Sequence, residues 1–166
     1  MLALKLIILM CSLSHARSAG ITVPGTNWCG PGNIARNYND LGSHVELDKC
    51  CRAHDNCKEK ILAQDSGYGL HNYGLFPIFS CTCEEAFRKC LTSLHSTESA
   101  ALGRIYFGTT ESCFAYGHPI VECLEKQWDI SFQKRCLSYR VDETKPKVWQ
   151  LNDLAFYTYV SESTEQ

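Results

Sequence analysis

The octet Cys50-Cys51-Arg52-Ala53-His54-Asp55-Asn56-Cys57 sets three cysteines around an adjacent histidine and aspartate. Three kinds of chemistry fit that composition. Thiolates with an imidazole would hold zinc. An activated cysteine would serve as a nucleophile. Oxidised cysteines would instead brace a helix that carries the His54–Asp55 pair. The compartment decides among them. The chain opens MLALKLIILMCSLSHARSAG, one lysine followed by an apolar run from Leu6 to Leu13 and then small residues. That is the layout of a secretory signal peptide over residues 1–20, with cleavage between 16 and 20. The run is shorter than the roughly 20 apolar residues of a membrane span, so an exported, extracellular protein is expected. Of the eleven cysteines, Cys11 lies in the apolar run and ten remain. An even number in an exported chain predicts five disulfides, which leaves no thiolate for zinc or for nucleophilic attack.

The elements around the octet follow from its spacing. Leu47, Cys50, Cys51, His54, Cys57 and Ile61 recur at three- and four-residue steps from Glu46 onward, which predicts a helix. A second helical pattern puts Cys83, Phe87, Cys90, Leu91 and Leu94 on one face and continues, after a break, through Ala100, Ala101 and Tyr106. Cys50 and Cys57 are two helical turns apart, and so are Cys83 and Cys90. Two bridges between these pairs would staple the helices side by side. Spacing alone does not fix the pairing; an antiparallel arrangement would join Cys50 to Cys90 and Cys57 to Cys83. His54 shares the stapled face. Asp55 lies about 100° further round, on the stripe of Cys51, and would face whatever Cys51 is bridged to.

One loop suits that position. Residues 21–42 are rich in Gly, Asn and Pro and contain Trp28-Cys29-Gly30-Pro31-Gly32-Asn33. If Cys29 bridges Cys51, this loop meets Asp55. The carbonyls of Trp28, Gly30 and Gly32 with both Asp55 oxygens would then form a hard-oxygen site. With water, such a set suits calcium, and it suits magnesium less, because magnesium demands near-ideal octahedral geometry.

Elsewhere the chain is less specific. Asp65–Pro77 reads as a loop or weak hairpin, and His118-Pro119 as a turn. Trp149, Phe156, Tyr157 and Tyr159 are expected in a C-terminal strand, followed by a polar tail over 160–166. Without Lys5 and Arg17, 14 basic residues face 18 acidic ones, and no basic run suggests nucleic acid as a partner. Contact with a membrane surface would rest on apolar side chains, for which Ile21, Val23, Pro24, Phe76, Ile78 and Phe79 are the candidates. The expected fold is one α+β domain over residues 21–159, small, disulfide-rich and mainly helical around the site, with two antiparallel disulfide-linked helices.

The sequence resembles the secreted phospholipases A2 of the bee-venom type, also called group III. The resemblance runs from Ile21 to about Leu154 through ITVPGTNWCGPGN, NDLG, KCCRAHDNC, SCTCEEAFRKCL, IYFG, HPIVEC, RCLSYRVD and KPKVWQLNDL. It implies the bridges Cys29–Cys51, Cys50–Cys90, Cys57–Cys83, Cys81–Cys113 and Cys123–Cys136. It also implies a calcium loop and calcium-dependent hydrolysis of the sn-2 acyl ester of glycerophospholipids by a monomer bound peripherally to a membrane or micelle. Carried onto this chain, His54 would be the general base, Tyr106 its support, and Trp28, Gly30, Gly32 and Asp55 the calcium ligands. One position departs from the family pattern C-D-C-D, whose second aspartate orients the imidazole. Here Cys81-Thr82-Cys83-Glu84 supplies a glutamate, one methylene longer, and Pro31 is a milder departure inside the calcium loop. The contrasting possibility is a non-catalytic or weakly active binding module, toxin-like, that keeps the fold.

Overall fold

The computed structural model describes residues 21–158; the signal-peptide segment, Cys11, Tyr159 and the tail at 160–166 lie outside the described residues. Helix α1 spans Val45–Asp55, with Glu46 and Asp48 in its first turn, where acidic side chains oppose the positive end of the helix dipole. It is shorter than the sequence periodicity suggests. Asn56 turns out of the helix, its side-chain amide donating to the Arg52 carbonyl at 2.7 Å. Cys57 therefore lies beyond the helix end. Ile61 belongs to strand β1 (Lys60–Ile61), paired antiparallel with β4 (Ile78–Phe79). Between them the expected weak hairpin forms from β2 (Ser66–Gly67) and β3 (Leu70–His71).

Helix α2 spans Cys81–Ser93 and begins two residues before the periodic stretch, because the Ser80 side chain caps it by accepting from Cys83 N–H. Helix α3, Thr97–Thr109, is capped in the same way by Ser96. The break between α2 and α3 falls at Leu94–Ser96, where His95 takes a positive φ of 47°. Four strands follow: β5 (Ser112–Gly117), β6 (Ile120–Trp128), β7 (Lys134–Val141) and β8 (Val148–Asp153). They pair as two antiparallel ribbons, β5 with β8 and β6 with β7. His118-Pro119 connects β5 to β6.

Five disulfides stand where the resemblance implies them: Cys29–Cys51, Cys50–Cys90, Cys57–Cys83, Cys81–Cys113 and Cys123–Cys136. The core wraps the first of these with Trp28, Leu47, Phe87, Leu91, Leu102, Phe107, Leu154 and Tyr157. Trp149 lies in β8 as expected, but Phe156 and Tyr157 do not. The strand ends at Asp153 because arginine side chains take its next carbonyls. The Arg135 guanidinium donates to Leu154 O, and that of Arg88 donates to Ala155 O and Phe156 O. Tyr157 then stacks on Phe107 of α3, with centroids 5.9 Å apart.

Candidate active site

His54 sits in the last turn of α1 with its side chain turned towards α2 and α3, between the Cys50–Cys90 and Cys57–Cys83 bridges. The imidazole is buried and held on two faces, by Phe79 and by Phe87, each with a ring centroid 4.3 Å away. Phe79 is therefore no lipid contact: its ring supports the histidine, and only 7% of it is exposed. Val23, another of the expected lipid contacts, packs partly buried against the core.

The edge of the ring meets a polar pair. His54 Nε2 lies 3.4 Å from Glu84 Oε2 and 3.2 Å from the Tyr106 hydroxyl, which itself donates to Glu84 Oε1 at 2.8 Å. Glu84 is fully buried, and among the described residues its Oε2 has no hydrogen-bond partner other than what the imidazole can offer. Burial, with the neighbouring Glu84 carboxylate next in effect, pushes the Tyr106 phenol far above the ordinary tyrosine value. Tyr106 stays a donor. Because its proton goes to Glu84, its oxygen can accept from Nε2–H, and that tautomer leaves Nδ1 with a free lone pair. The additional methylene at position 84 is thus taken up by a bridge: the carboxylate reaches the ring partly through the phenol.

Asp55 points to the glycine loop. Its Oδ2 accepts from the Asn33 amide at 3.4 Å, while Lys60 Nζ donates to the Asp55 backbone carbonyl at 2.8 Å rather than to the carboxylate. Burial, partly offset by the Asn33 hydrogen bond, pushes Asp55 up to about 6. A half-buried carboxylate of this kind is relieved by a cation. The loop offers suitable co-ligands. Asn27 O accepts from Ile34 N–H and Cys29 O from Val23 N–H, both at 2.8 Å. Among the described residues no donor reaches the carbonyls of Trp28, Gly30 or Gly32. Carboxylate and free carbonyl oxygens are the donor set that calcium prefers, so the residues present fit that ion.

Sequence reasoning missed what holds this loop. Asp48, completely buried in the first turn of α1, accepts from Trp28 N–H at 2.7 Å, from Gly42 N–H at 2.7 Å and, with both oxygens, from Asn27 N–H at 2.9 and 3.0 Å. The signal was present: Asp48, Cys51 and Asp55 follow at i, i+3 and i+7 on the stripe that faces the loop. Two glycines complete the loop. A Cβ at Gly30 would stand 1.9 Å from the Ile21 carbonyl oxygen, and Gly32 has φ +79°, which only glycine adopts freely.

Trp28, Gly30, Gly32, Asn33, His54 and Asp55 all line one open cleft of about 730 Å³. The family model described as Phospholipase A2 matches residues 22–117. The phospholipase A2 of Bombus terrestris is 42% identical over 139 residues, covering 82% of this chain and 100% of that protein. This chain belongs to the phospholipase A2 family, in its bee-venom branch. The phospholipase A2 of Apis mellifera is 39% identical over 139 residues, 82% of this chain and 80% of its own. Phospholipase A2 phaiodactylipin of Anuroctonus phaiodactylus shares 49% over 84 residues, about half of each chain. In phospholipase A2 terms, the structure brings His54, Tyr106 and Asp55 to one cleft with the glycine loop beside them, and buries Glu84 behind His54 and Tyr106. The cleft mouth carries exposed Phe76, and also Tyr73, Leu75 and Ile105, which the sequence did not single out; Ile21 is exposed but does not line the cleft.

Proposed function

We propose that this protein is an exported, calcium-dependent phospholipase A2 that hydrolyses the sn-2 acyl ester of glycerophospholipids at a lipid surface. The observation that carries this proposal is the buried His54–Tyr106–Glu84 unit, with the Nδ1 side of the imidazole left to the cleft and Asp55 next to it in sequence. His54 Nδ1 accepts a proton from a water in the cleft as that water adds to the ester carbonyl. Nε2–H meanwhile stays on the Tyr106 oxygen and the Glu84 carboxylate, which stabilise the imidazolium that forms. Nδ1 then returns the proton to the leaving alkoxide. Calcium, held by Asp55 and the carbonyls of Trp28, Gly30 and Gly32, would supply Lewis-acid stabilisation of the oxyanion and a contact for the lipid phosphate. The Gly30 N–H is a further oxyanion donor. Phe79 and Phe87 fix the ring and keep bulk water from it. The apolar residues at the mouth, Leu75 and Phe76 among them, support access to aggregated lipid. No helix among the described residues is long and apolar enough to cross a membrane, which suits a peripheral mode of contact.

The test is release of sn-2 fatty acid from phospholipid vesicles with calcium, with EDTA, and by His54→Gln. Release that needs calcium and is lost in His54→Gln is expected. Absence of calcium-dependent release, with His54→Gln equal to wild type, leaves a phospholipase-fold binding module. Glu84→Asp in the same assay addresses the family departure: an unchanged rate means that Tyr106 absorbs the difference in length.

A further inference from the structure

The ribbon of β6 and β7 ends in a tip that takes no part in the cleft chemistry. Three large apolar side chains stand in solvent there: Trp128 is 60% exposed, Ile130 99% and Phe132 86%. Isolated surface apolar residues need no explanation, but three within five positions form a patch. The turn that carries them is closed on itself. Asp129 N–H donates to Gln133 O at 3.1 Å, and Phe132 N–H to Asp129 O at 3.2 Å. Asp129 Oδ1 accepts from Ser131 N–H and Gln133 N–H, both at 2.8 Å. Four backbone donors are therefore satisfied without water, the condition under which backbone can approach lipid.

The flanking charges fit the same surroundings. Lys126 precedes the tip and Lys134 follows it, the latter with Nζ 6.0 Å from the Trp128 ring. An indole with lysine ammonium groups behind it is suited to the headgroup layer, where the ring sits among the headgroups and the lysines reach phosphate. The tip is also braced, since Cys123–Cys136 joins its two strands, so little conformational freedom is lost on docking. Its position agrees. A second cavity of about 460 Å³ is lined by Gln133 and Lys134 on one side and by Glu111, Ser112 and Leu151 on the other. The last three also line the main cleft. The root of the tip thus adjoins the cleft rim, and exposed Ile105 and Leu151 continue the apolar surface along that rim.

We propose that the Trp128–Phe132 tip is a second membrane anchor, inserted at the headgroup–acyl boundary of the phospholipid surface that the cleft mouth faces. This rests on the phospholipase reading of the cleft for the identity of that surface. The experiment compares wild type with the triple variant Trp128→Ser, Ile130→Ser, Phe132→Ser, and separately with Trp128→Phe. Sedimentation with phosphatidylcholine vesicles should show affinity for the triple variant reduced by about a hundredfold, the scale expected when three apolar side chains no longer enter lipid. Hydrolysis of a short-chain phosphatidylcholine kept below its micelle concentration should be unchanged in that variant. Brominated-lipid vesicles should quench wild-type tryptophan fluorescence, and Trp128→Phe should abolish most of that quenching while keeping vesicle affinity within a few-fold. Unchanged affinity of the triple variant, or quenching that survives in Trp128→Phe, overturns the proposal and marks the tip as a contact for protein instead. The quenching result holds even where the triple variant folds poorly. Wild type that binds vesicles through the tip but hydrolyses neither substrate would refute the enzymatic reading and leave the anchor standing.

Discussion

Asp48 offers the sharpest test of how the glycine loop is held. Asp48→Asn keeps the size of the side chain but replaces one acceptor oxygen by an NH₂ group. With the amide oxygen in the Oδ1 position, the bonds to Trp28 N–H and one to Asn27 N–H survive, but without the charge. Gly42 N–H then faces another donor in a site from which water is excluded. The opposite amide rotamer keeps Gly42 and strands Trp28 instead. Either way one buried N–H is orphaned and the remaining bonds weaken, a loss of about 2–4 kcal/mol when bonds to charged acceptors contribute about 1.5–3 kcal/mol each. For a domain of this size that corresponds to a fall in Tm of about 10 °C. The loss is not uniform over the molecule, because Trp28 carries both the N–H that Asp48 fixes and the carbonyl proposed to meet calcium. Calcium affinity should therefore fall at least about tenfold, as ligands that were preorganised must be ordered on binding. Differential scanning calorimetry with EDTA gives the first quantity and isothermal titration with calcium the second. An Asp48→Asn protein with the Tm and calcium affinity of wild type would mean that the disulfide Cys29–Cys51 alone positions the loop, and the reasoning would fail.

Other outcomes follow from the same geometry. Tyr106→Phe leaves Glu84 Oε1 buried without its donor, which should cost about 1–3 kcal/mol of stability, and hydrolysis should fall with it; a thermal melt equal to wild type would contradict the bridge. Gly30→Ala places a methyl on the Ile21 carbonyl, so calcium affinity should drop while the far-UV circular dichroism keeps its native form; unaltered calcium binding would show that the loop has room. In the metal-free protein the Asp55 carboxyl is raised from 3.8 to about 6. The neutral form is thus favoured by folding: this group's contribution to stability is present below pH 3.8 and is lost as the pH rises through about 6. Calcium requires the ionised form, so its apparent Kd should weaken about tenfold per pH unit below 6, and a Kd that is constant from pH 7 to 5 would exclude Asp55 as a ligand.

The octet and its fasteners were legible in the sequence because disulfide spacing and helical period are local and rigid. Cys50, His54 and Cys57 fall near one face in any helix, and so do Cys83 and Cys90. What escaped was decided at a distance. The period continued through Cys57 and Ile61, but Asn56 capped the helix first and Ile61 found a strand partner in Ile78. Asp48 resembled an ordinary acidic residue in a first helical turn, a role that needs no burial; only the folded loop reveals three backbone donors waiting for it. Phe79 counts only as a candidate lipid contact in the sequence because an apolar ring near a cleft suits bilayer and core equally, and the imidazole 4.3 Å away settles the matter. Phe156 and Tyr157 have strand-forming side chains, yet Arg88 and Arg135, remote in sequence, take the carbonyls that a strand would need.

The seating of the last described residues on α2 and α3 also dictates an order of events during synthesis. The helix bearing His54 leaves the ribosome about a hundred residues before Phe156 and Tyr157, which lie 65 to 68 positions from their partners Arg88 and Thr92. A nascent chain can close the Cys29–Cys51 loop early. Phe107, the next residue after Tyr106, gains its stacking partner only when Tyr157 arrives. Tyr106, whose phenol lies between His54 and Glu84, therefore reaches its final packing only after Tyr157 has been made.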